Sequence, residues 1–321
     1  MPRDASTPAG ARAVTAVAPA KINLHLGVGD VRADGYHDLL TVYRAVDLWE
    51  QVTVSLDDDE VVVTGPGAPQ VPTDRTNLAA RAVDLLRGEA GSDARIAIRI
   101  HKGVPVAGGM AGGSADAAAA LVATDRLLGL GLGRAALEER AARLGSDVPF
   151  CIRGGTALGT GRGEKLATLL HARAEQHIVV ALADGGLSTP TVFAEFDRLR
   201  AERDPADPER GLPRAGGVDP LVAALAGDDP AAVAGLLAND MEVAALSLMP
   251  ALRRTLRVGR EAGALHGMVS GSGPTCLFFC TDRDHAIAVA AEISEHGVAR
   301  EVRVTRGPVG GAHIVDDPTG K

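Results

Sequence analysis

Aromatic residues are scarce in this chain: they make up 2% of its 321 residues, with one Trp, two Tyr and five Phe. Proteins that bind single-stranded nucleic acid stack the bases on aromatic side chains, and so they need more rings than this. The formal net charge is −8, whereas a nucleic-acid-binding domain usually presents a basic face. Together the two features argue against a nucleic-acid partner.

Cysteine is also rare, and long apolar runs are missing. Cys151, Cys276 and Cys280 are too few and too scattered for a disulfide framework or a zinc site, so we expect buried thiols in a reducing cytoplasm. No stretch approaches about 18 consecutive apolar residues, and residues 1–13 lack the apolar run of a signal peptide. The sequence therefore predicts a cytoplasmic protein with no membrane partner.

Lysine is scarce even though basic residues are not. The 33 basic residues include only four lysines, which are Lys21, Lys102, Lys165 and Lys321. Arg and Lys are not interchangeable where a compact ammonium is needed. Each lysine is therefore a candidate for a chemical role, except Lys321 at the end of the chain, which we take as a surface residue.

The apolar pattern predicts an α+β chain, because strands and helices alternate irregularly and the first half begins with consecutive strands. Strands are predicted over 14–28, 42–63, 94–101, 268–269, 275–279 and 298–305, and helices over 77–86, 114–128, 134–144, 220–227, 230–246, 250–262 and 284–296. At about 150 residues per domain, the length suggests two domains, which we place at 13–167 and 172–306. Residues 201–218 are typical of a surface insertion, and residues 307–321 of a disordered tail.

The strongest local signal is a glycine-rich loop before an alanine-rich helix. Gly108, Gly109, Gly112 and Gly113 come just before the helix predicted from Ser114. Glycine allows the backbone to approach a ligand, and a helix start offers unpaired N–H groups and the positive end of the dipole. The pattern predicts a phosphate site, although a tight strand-to-helix connection has the same composition. Its spacing matches neither a Walker A loop nor a dinucleotide-binding Gly-x-Gly-x-x-Gly unit.

Three other segments carry candidate polar groups. Lys21, Asn23 and His25 share one side of the first predicted strand, either as a solvated stripe or as the wall of a ligand cavity. Asp147 follows a helix within Gly-Ser-Asp-Val-Pro-Phe, where it either caps the next helix or serves chemistry. The Gly/Ser-rich segment 270–275 is a weak signal alone, and it lacks the Gly-x-Ser-x-Gly pattern of a hydrolase nucleophile.

In this order, the lysine strand, the glycine loop and the Gly-Ser-Gly-Pro segment resemble the GHMP kinases, the superfamily of galactokinase, homoserine kinase and mevalonate kinase. The resemblance runs over residues 14–306. Four segments resemble the branch that phosphorylates a CDP-linked alcohol: Pro-Ala-Lys-Ile-Asn-Leu at 19–24, Arg-Ala-Asp-Gly-Tyr-His at 32–37, Gly-Ser-Asp-Val-Pro-Phe at 145–150 and Ser-Thr-Pro at 188–190.

The glycine loop departs from the superfamily pattern at three places. Met110-Ala111 stands where Leu-Gly is usual, Ala115 where a second serine is common, and Asp116 where asparagine is frequent. These changes remove side-chain hydroxyl and amide groups and leave Ser114 as the remaining hydroxyl. The glycines that would form the backbone cradle are kept.

The resemblance implies a two-domain GHMP kinase fold, with a left-handed βαβ crossover in the N-terminal domain and a ferredoxin-like C-terminal domain. It implies ATP-dependent phosphorylation of the 2-hydroxyl of the methylerythritol part of the CDP-alcohol, in the non-mevalonate route to isoprenoids. Mg²⁺ is expected with ATP, and no protein ligands are assigned to it. Asp147 would accept the hydroxyl proton, and Lys21 would orient Asp147 and offset the developing negative charge.

The resemblance also implies the binding residues. For ATP they are Asn77, Lys102, Pro105, Val106, Ala107, Gly108, Gly109, Met110, Ala111, Gly112, Gly113, Ser114 and Ala115. For the CDP-alcohol they are Asn23, Tyr36, His37, Thr189 and Phe193. Tyr36 and Phe193 would sandwich the cytosine, and His37 would recognise its polar edge.

Two alternatives remain open at this point. One is another GHMP kinase, such as a homoserine kinase, although an amino-acid substrate gives Tyr36 and Phe193 no base to stack. The other is a nucleotide-binding sensor without chemistry, which would not need both Lys21 and Asp147.

Overall fold

The larger sheet is built on two long antiparallel strands, β1 (Ala13–Val31) and β2 (His37–Leu56). The computed structural model describes residues 12–106, 108–172, 174–202 and 215–315. Both strands are rich in Val and Leu, which pack well on a pleated surface. Their pairing runs from Ala13 opposite Ser55 to Val31 opposite His37, so the two strands form one long hairpin.

Six shorter strands complete this sheet. They are β3 (Val61–Thr64), β4 (Ile96–His101), β5 (Thr156–Thr160), β6 (Lys165–Thr168), β8 (Ala238–Asn239) and β12 (His313–Val315). The main order is β12-β1-β2-β4-β3; β5 pairs with β2, β6 with β5, and β8 with β1. Because β8 and β12 come from the second half of the chain, both halves contribute to this sheet.

Four helices belong to this part of the chain: α1 (Leu78–Glu89), α2 (Gly112–Leu128), α3 (Arg134–Leu144) and α4 (Val148–Arg153). A 3₁₀ turn, Ala68–Gln70, lies before α1. Helix α2 contacts both long strands and the other three helices. Its buried side chains are mostly alanines, and such small side chains allow a helix to lie close to a sheet. This packing brings the start of α2 next to β1 and β2.

The second sheet is antiparallel and has four strands: β7 (Gln176–Leu182), β9 (His266–Val269), β10 (Cys276–Cys280) and β11 (Glu301–Gly307). Their order is β11-β7-β10-β9. The helices of this half are α5 (Thr189–Ala201), α6 (Asp219–Ala224), α7 (Pro230–Ala234), α8 (Glu242–Leu248), α9 (Leu252–Glu261) and α10 (Arg283–Glu295). Helices α5 to α9, with the short β8, lie between β7 and β9, and α10 connects β10 to β11. With β8 set aside, the connectivity is the β-α-β-β-α-β order of a ferredoxin-like unit.

The predicted α+β class is confirmed, but several elements differ from the prediction: the strand predicted over 42–63 is divided between β2 and β3, and no strand was predicted at β5, β6 or β7. The helix predicted over 230–246 is interrupted by β8, because Asn239 and Asp240 are used for tertiary contacts. The Asn239 amide donates to the carbonyls of Val269 and Gly271, both at 2.8 Å. The Asp240 carboxylate accepts from the N–H of Val28 at 2.8 Å.

The prediction of a disordered tail from Gly307 onward is wrong for residues 307–315. Strand β12 pairs with β1, with Thr15 opposite Val315. The Ala312 N–H also donates to the Cys151 carbonyl at 2.9 Å, so backbone hydrogen bonds fix this segment. Residues 316–321 and 203–214 lie outside the described residues, so most of the predicted insertion does too. The domain limits of 13–167 and 172–306 and the left-handed crossover stay predictions.

The expectation of buried, unpaired thiols is confirmed, since Cys151, Cys276 and Cys280 are all free and buried. Within the described ranges, no helix is long and apolar enough to cross a bilayer.

Candidate active site

A cleft of about 550 Å³ opens where β1, β2, the start of α2 and two loops of the second half meet. Most of the residues predicted for catalysis and binding line it: Lys21, Asn23, Tyr36, His37, Lys102, Pro105, Val106, Gly108, Gly109, Ala111, Gly112, Gly113, Ser114, Asp147, Thr189 and Phe193. The structure thus brings together residues that lie far apart in the sequence.

Lys21 and Asp147 face each other in this cleft. The Lys21 Nζ lies 3.6 Å from Asp147 Oδ2, and it donates to Asn23 Oδ1 at 2.9 Å. The Asn23 amide donates in turn to the Thr41 hydroxyl at 2.7 Å, which fixes the orientation of the amide. Side chains on β1 and β2 therefore hold the ammonium in one position, with its charge toward the carboxylate.

Tyr43 holds the same carboxylate from the other side. Its hydroxyl donates to Asp147 Oδ1 at 3.3 Å, and its ring packs on Phe150 with centroids 5.0 Å apart. Burial, together with the negative charge of Asp147, raises the pKa of Tyr43 well above its usual value. The hydroxyl thus keeps its proton and remains a donor to Asp147.

Asp147 does not cap a helix. It occupies the position before α4, yet its side chain makes no capping hydrogen bond to that helix. Its side chain is 30% exposed and faces the cleft between Lys21 and Tyr43. The capping alternative, which the sequence left open, is therefore wrong.

His25 does not share the cleft wall with Lys21 and Asn23, contrary to the prediction. A β-bulge at Leu24 inserts one extra residue in β1, since Asn23 lies opposite Tyr43 and His25 opposite Val42. A bulge reverses the alternation of side chains beyond it. Beyond the bulge it is Leu26 that borders the cleft, packed in a buried apolar cluster, while His25 is buried elsewhere with a pKa lowered by burial.

The glycine loop is tied to both halves of the chain. The Lys21 N–H donates to the Met110 carbonyl at 3.2 Å, and the Ser270 hydroxyl donates to the Gly109 carbonyl at 3.3 Å. Gly109 has φ +70°, and a Cβ there would lie 2.4 Å from the Ser270 carbonyl oxygen. The need for glycine at this position therefore comes from backbone packing inside the protein as well as from any phosphate.

The residue just before helix α2 has an unusual backbone conformation. Ala111 at its N-cap has φ +59° and ψ +34°, the left-handed region, which costs an L-residue roughly 1–2 kcal/mol. Ala111 stands where the superfamily pattern has glycine. The unpaired N–H groups of the first turn of α2 lie at the cleft, since Gly112, Gly113 and Ser114 all line it.

Lys102 lies beneath this turn in a buried cluster with two carboxylates. Its Nζ lies 2.6 Å from Glu50 Oε1 and 2.5 Å from Asp116 Oδ2, and all three side chains are at most 3% exposed. Glu50 Oε2 also accepts from the Gly103 N–H at 2.9 Å. Burial and the charge of Asp116 raise the pKa of Glu50 to about 7, against the lowering effect of Lys102. The ammonium of Lys102 is already paired with both Glu50 and Asp116. Its predicted contact with ATP stays a prediction.

Three other residues predicted for ATP are buried and do not line the cleft. Met110 and Ala115 pack in the hydrophobic core. Asn77 caps α1, with its Oδ1 accepting from the Ala79 N–H at 2.8 Å and its amide donating to the Pro72 carbonyl at 2.7 Å. Ala107 lies outside the described residues.

The far end of the cleft carries the aromatic residues. His37 stacks on Phe193 with centroids 5.0 Å apart, and its Nε2 lies 2.9 Å from Asp197 Oδ1. Tyr36 is 54% exposed, and the Arg162 guanidinium lies over its ring at 4.9 Å. Thr189 lies one turn before Phe193 on α5, and its hydroxyl lies 3.0 Å from that of Ser272.

Sequence reasoning missed Tyr43, Glu50 and Arg162 as site residues. A signal existed for Glu50, because the strand alternation that buries Val52 and Val54 also directs residue 50 inward. Tyr43 and Arg162 gave no comparable signal, since their positions depend on pairing between β2 and β5.

Comparison with known proteins gives two matching family profiles. The profile "GHMP kinases N terminal domain" matches residues 77–155, and "GHMP kinases C terminal" matches residues 221–299. Among curated proteins, the 4-diphosphocytidyl-2-C-methyl-D-erythritol kinase of Nocardia farcinica is 57% identical over 93% of this chain and 95% of its own length. The kinase of the same name from Mycolicibacterium smegmatis is 55% identical over 95% and 94%.

Solved structures are also similar. A crystal structure of 4-(cytidine 5'-diphospho)-2C-methyl-D-erythritol kinase, 30% identical, has a TM-score of 0.72 and covers 92% of this chain and 100% of its own. The homoserine kinase from Cytophaga hutchinsonii has a TM-score of 0.75 over 97% and 100%, at 18% identity. At that identity the likeness concerns the fold alone.

Proposed function

The chain belongs to the family of 4-diphosphocytidyl-2-C-methyl-D-erythritol kinases within the GHMP kinases, and from this membership we propose the reaction and the role of each residue in the cleft. The reaction is transfer of the γ-phosphoryl group of ATP to the 2-hydroxyl of the methylerythritol part of the CDP-alcohol. The observation that carries the assignment of the site is the Lys21–Asp147 pair beside the glycine loop.

Phosphoryl transfer depends mainly on positioning and on neutralising charge. Asp147 accepts the proton of the substrate hydroxyl, and its 30% exposure leaves room for that hydroxyl. The Tyr43 hydroxyl and the Lys21 ammonium hold the carboxylate from two sides, so that the base is oriented before substrate binds. Lys21 also offsets the negative charge that develops on the transferred group. Asn23 orients Lys21 through the bond to its Oδ1.

The glycine loop and the first turn of α2 hold the phosphates of ATP with backbone N–H groups. Among the described residues, no cluster of three His, Cys, Asp or Glu could hold a metal ion. Mg²⁺ in kinases keeps several waters and binds mainly through the nucleotide phosphates, so the site needs few protein donors. The Ser114 hydroxyl, which lines the cleft at the first turn of α2, fits this role. When bound, Mg²⁺ neutralises charge on the phosphates.

The aromatic end of the cleft binds the cytidine. A base stacks against Tyr36 or Phe193, and His37 presents its imidazole beside them. One face of Phe193 is already covered by His37, so Phe193 offers the base its other face. The Nε2 of His37 is engaged by Asp197, which leaves Nδ1 for the polar edge of cytosine. Thr189, which lines the cleft one turn before Phe193 on α5, helps to hold the substrate.

A coupled assay of ADP release tests the proposal. Turnover is measured with ATP and the CDP-alcohol, and in parallel with homoserine or mevalonate in its place. We expect turnover only with the CDP-alcohol. ATP consumption with homoserine would instead support the other GHMP kinase, and no consumption with any acceptor would support a sensor.

Two variants test the roles of the pair. We expect Asp147→Asn and Lys21→Ala to lower kcat by roughly 10²–10⁴-fold, the usual effect of removing a positioned base or its partner. The melting temperature of each variant is the control for folding. Normal turnover of Asp147→Asn would contradict the assignment of Asp147 as the base.

A further inference from the structure

Arg162 lines the cleft but has no role in the reaction described so far. The other cations of the wall are engaged: Lys21 lies beside Asp147, and Lys102 is held by Glu50 and Asp116. The backbone N–H of Arg162 donates to Glu164 Oε2 at 2.7 Å, but its guanidinium has no carboxylate within 4.0 Å and no hydrogen bond in the described part of the chain. It is therefore the cleft cation whose charged group has no direct partner among the described residues.

The turn that carries Arg162 is held rigidly. Arg162 lies between β5 and β6, flanked by Gly161 and Gly163, whose φ values are +72° and +96°. The Gly161 carbonyl accepts from the Leu39 N–H on β2 at 2.7 Å. A Cβ at Gly163 would lie 2.2 Å from the Tyr43 hydroxyl oxygen, so this backbone is pressed against that residue.

Arg162 consequently lies between the two ends of the cleft. On one side its guanidinium covers the ring of Tyr36 at 4.9 Å, at the aromatic end. On the other side its turn touches Tyr43, which donates to Asp147 at the catalytic end. A guanidinium that lies over an aromatic ring can still donate its N–H groups to the oxygens of a phosphate.

From this geometry we propose that Arg162 binds the diphosphate of the CDP-alcohol and thereby sets its specificity for a diphosphate-linked acceptor. The inference rests on the proposed function. In that substrate the diphosphate joins the cytidine to the alcohol that is phosphorylated. With the base at Tyr36 and the hydroxyl at Asp147, the diphosphate must cross the space between them, which is where Arg162 lies.

The test measures binding of CDP and of cytidine by calorimetry, with the ATP site filled by a non-hydrolysable ATP analogue. For Arg162→Gln we expect CDP affinity to fall about 10- to 150-fold, the usual loss for hydrogen bonds between charged groups. Cytidine affinity should change less than about threefold. The KM for the CDP-alcohol should rise in the same proportion as CDP affinity falls, and the KM for ATP should not change. Arg162→Lys should restore part of the affinity for CDP.

Arg200→Gln is the matched control, since Arg200 also covers an aromatic ring, that of Phe196 at 5.4 Å, but does not line the cleft. It should bind CDP and cytidine as the wild type does. Equal losses for CDP and cytidine in Arg162→Gln would mean that Arg162 only supports Tyr36, and no loss for either would mean that it binds neither; both results overturn the proposal. If the wild type binds neither CDP nor cytidine, the proposed function fails as well.

Discussion

The buried cluster of Lys102, Glu50 and Asp116 holds two carboxylates for one ammonium. Its formal charge of −1 lies out of water, which is costly, so the fold favours a proton on one carboxylate. We expect Asp116→Asn to remove the cost of this buried negative charge. Asp116 Oδ1 is buried and has no hydrogen-bond partner in the described part of the chain, while Oδ2 accepts from Lys102. An asparagine can keep the bond to Lys102 through its oxygen and place its amide where the unpartnered oxygen lies.

The size of the effect on the free energy of unfolding follows from the pKa of Glu50, which rises from 4.5 to about 7. At about 1.4 kcal/mol per pKa unit, this corresponds to roughly 3 kcal/mol. Because the pKa in the folded state is raised, the stabilising contribution of Glu50 is fully present below pH 4.5 and is lost as the pH rises through about 7. Without the charge of residue 116, Glu50 forms a one-to-one pair with Lys102 and its pKa should fall. We therefore expect the free energy of unfolding of Asp116→Asn, relative to the wild type, to increase by about 1–3 kcal/mol between pH 5 and pH 8.

Urea unfolding at four pH values between 5 and 8 measures this difference. Asp228→Asn, at an exposed position outside the cleft, is the control for the loss of one carboxylate. Glu50→Gln makes the same change of charge but should destabilise, because Oε1 lies 2.6 Å from the Lys102 ammonium and Oε2 accepts from the Gly103 N–H, so that an amide nitrogen would face one of these donors. Parallel pH curves for Asp116→Asn and the wild type, within about 0.5 kcal/mol, would refute the reasoning.

Three further predictions concern single side chains. Tyr43→Phe should lower kcat by about 5- to 50-fold with little change in the KM for ATP, because it removes one of the bonds that orient Asp147. Steady-state kinetics with both substrates measures this, and an unchanged kcat would show that Tyr43 has no role in orienting Asp147. Ala111→Gly should raise the melting temperature by about 1–3 °C, since glycine adopts φ +59° without strain; a lower melting temperature would show that the lost methyl packing is the larger effect. Phe193→Ala should raise the KM for the CDP-alcohol about 5- to 150-fold, from the usual value of a base stack, with the KM for ATP as the internal control; equal increases in both would indicate a general loss of structure.

The sequence predicted the elements whose pattern is local. The helix at 134–144 has the predicted limits, and α2 begins within two residues of the prediction, because glycine placement and apolar spacing mark helix ends directly. The motifs also predicted most of the residues that line the cleft, because each motif contains backbone or side-chain groups that suit a particular ligand.

The parts that the sequence did not predict depend on contacts between distant segments. His25 was misplaced because a β-bulge is a property of the pairing of β1 with β2, and alternation along one strand does not show it. Strand β12 was missed because three residues give no periodicity, and only its partner on β1 makes it a strand. The need for glycine at 109 likewise comes from Ser270, more than 150 residues away in the chain.

The pairing of β12 with β1 has a consequence for how the protein is made. Residues 15–17 belong to the first of the described elements to leave the ribosome, and their partners at 313–315 form the last. Until then this end of β1 lacks its partner strand on one edge, and a nascent chain cut before residue 313 exposes backbone groups there. The residues that line the cleft are likewise synthesised over most of the chain, from Lys21 to Ser272. Ribosome-stalled chains that end near residue 250 should accordingly contain the glycine loop and the Lys21–Asp147 pair but lack the wall residues Gly271 and Ser272, so that we expect activity only after residue 272 has left the ribosome.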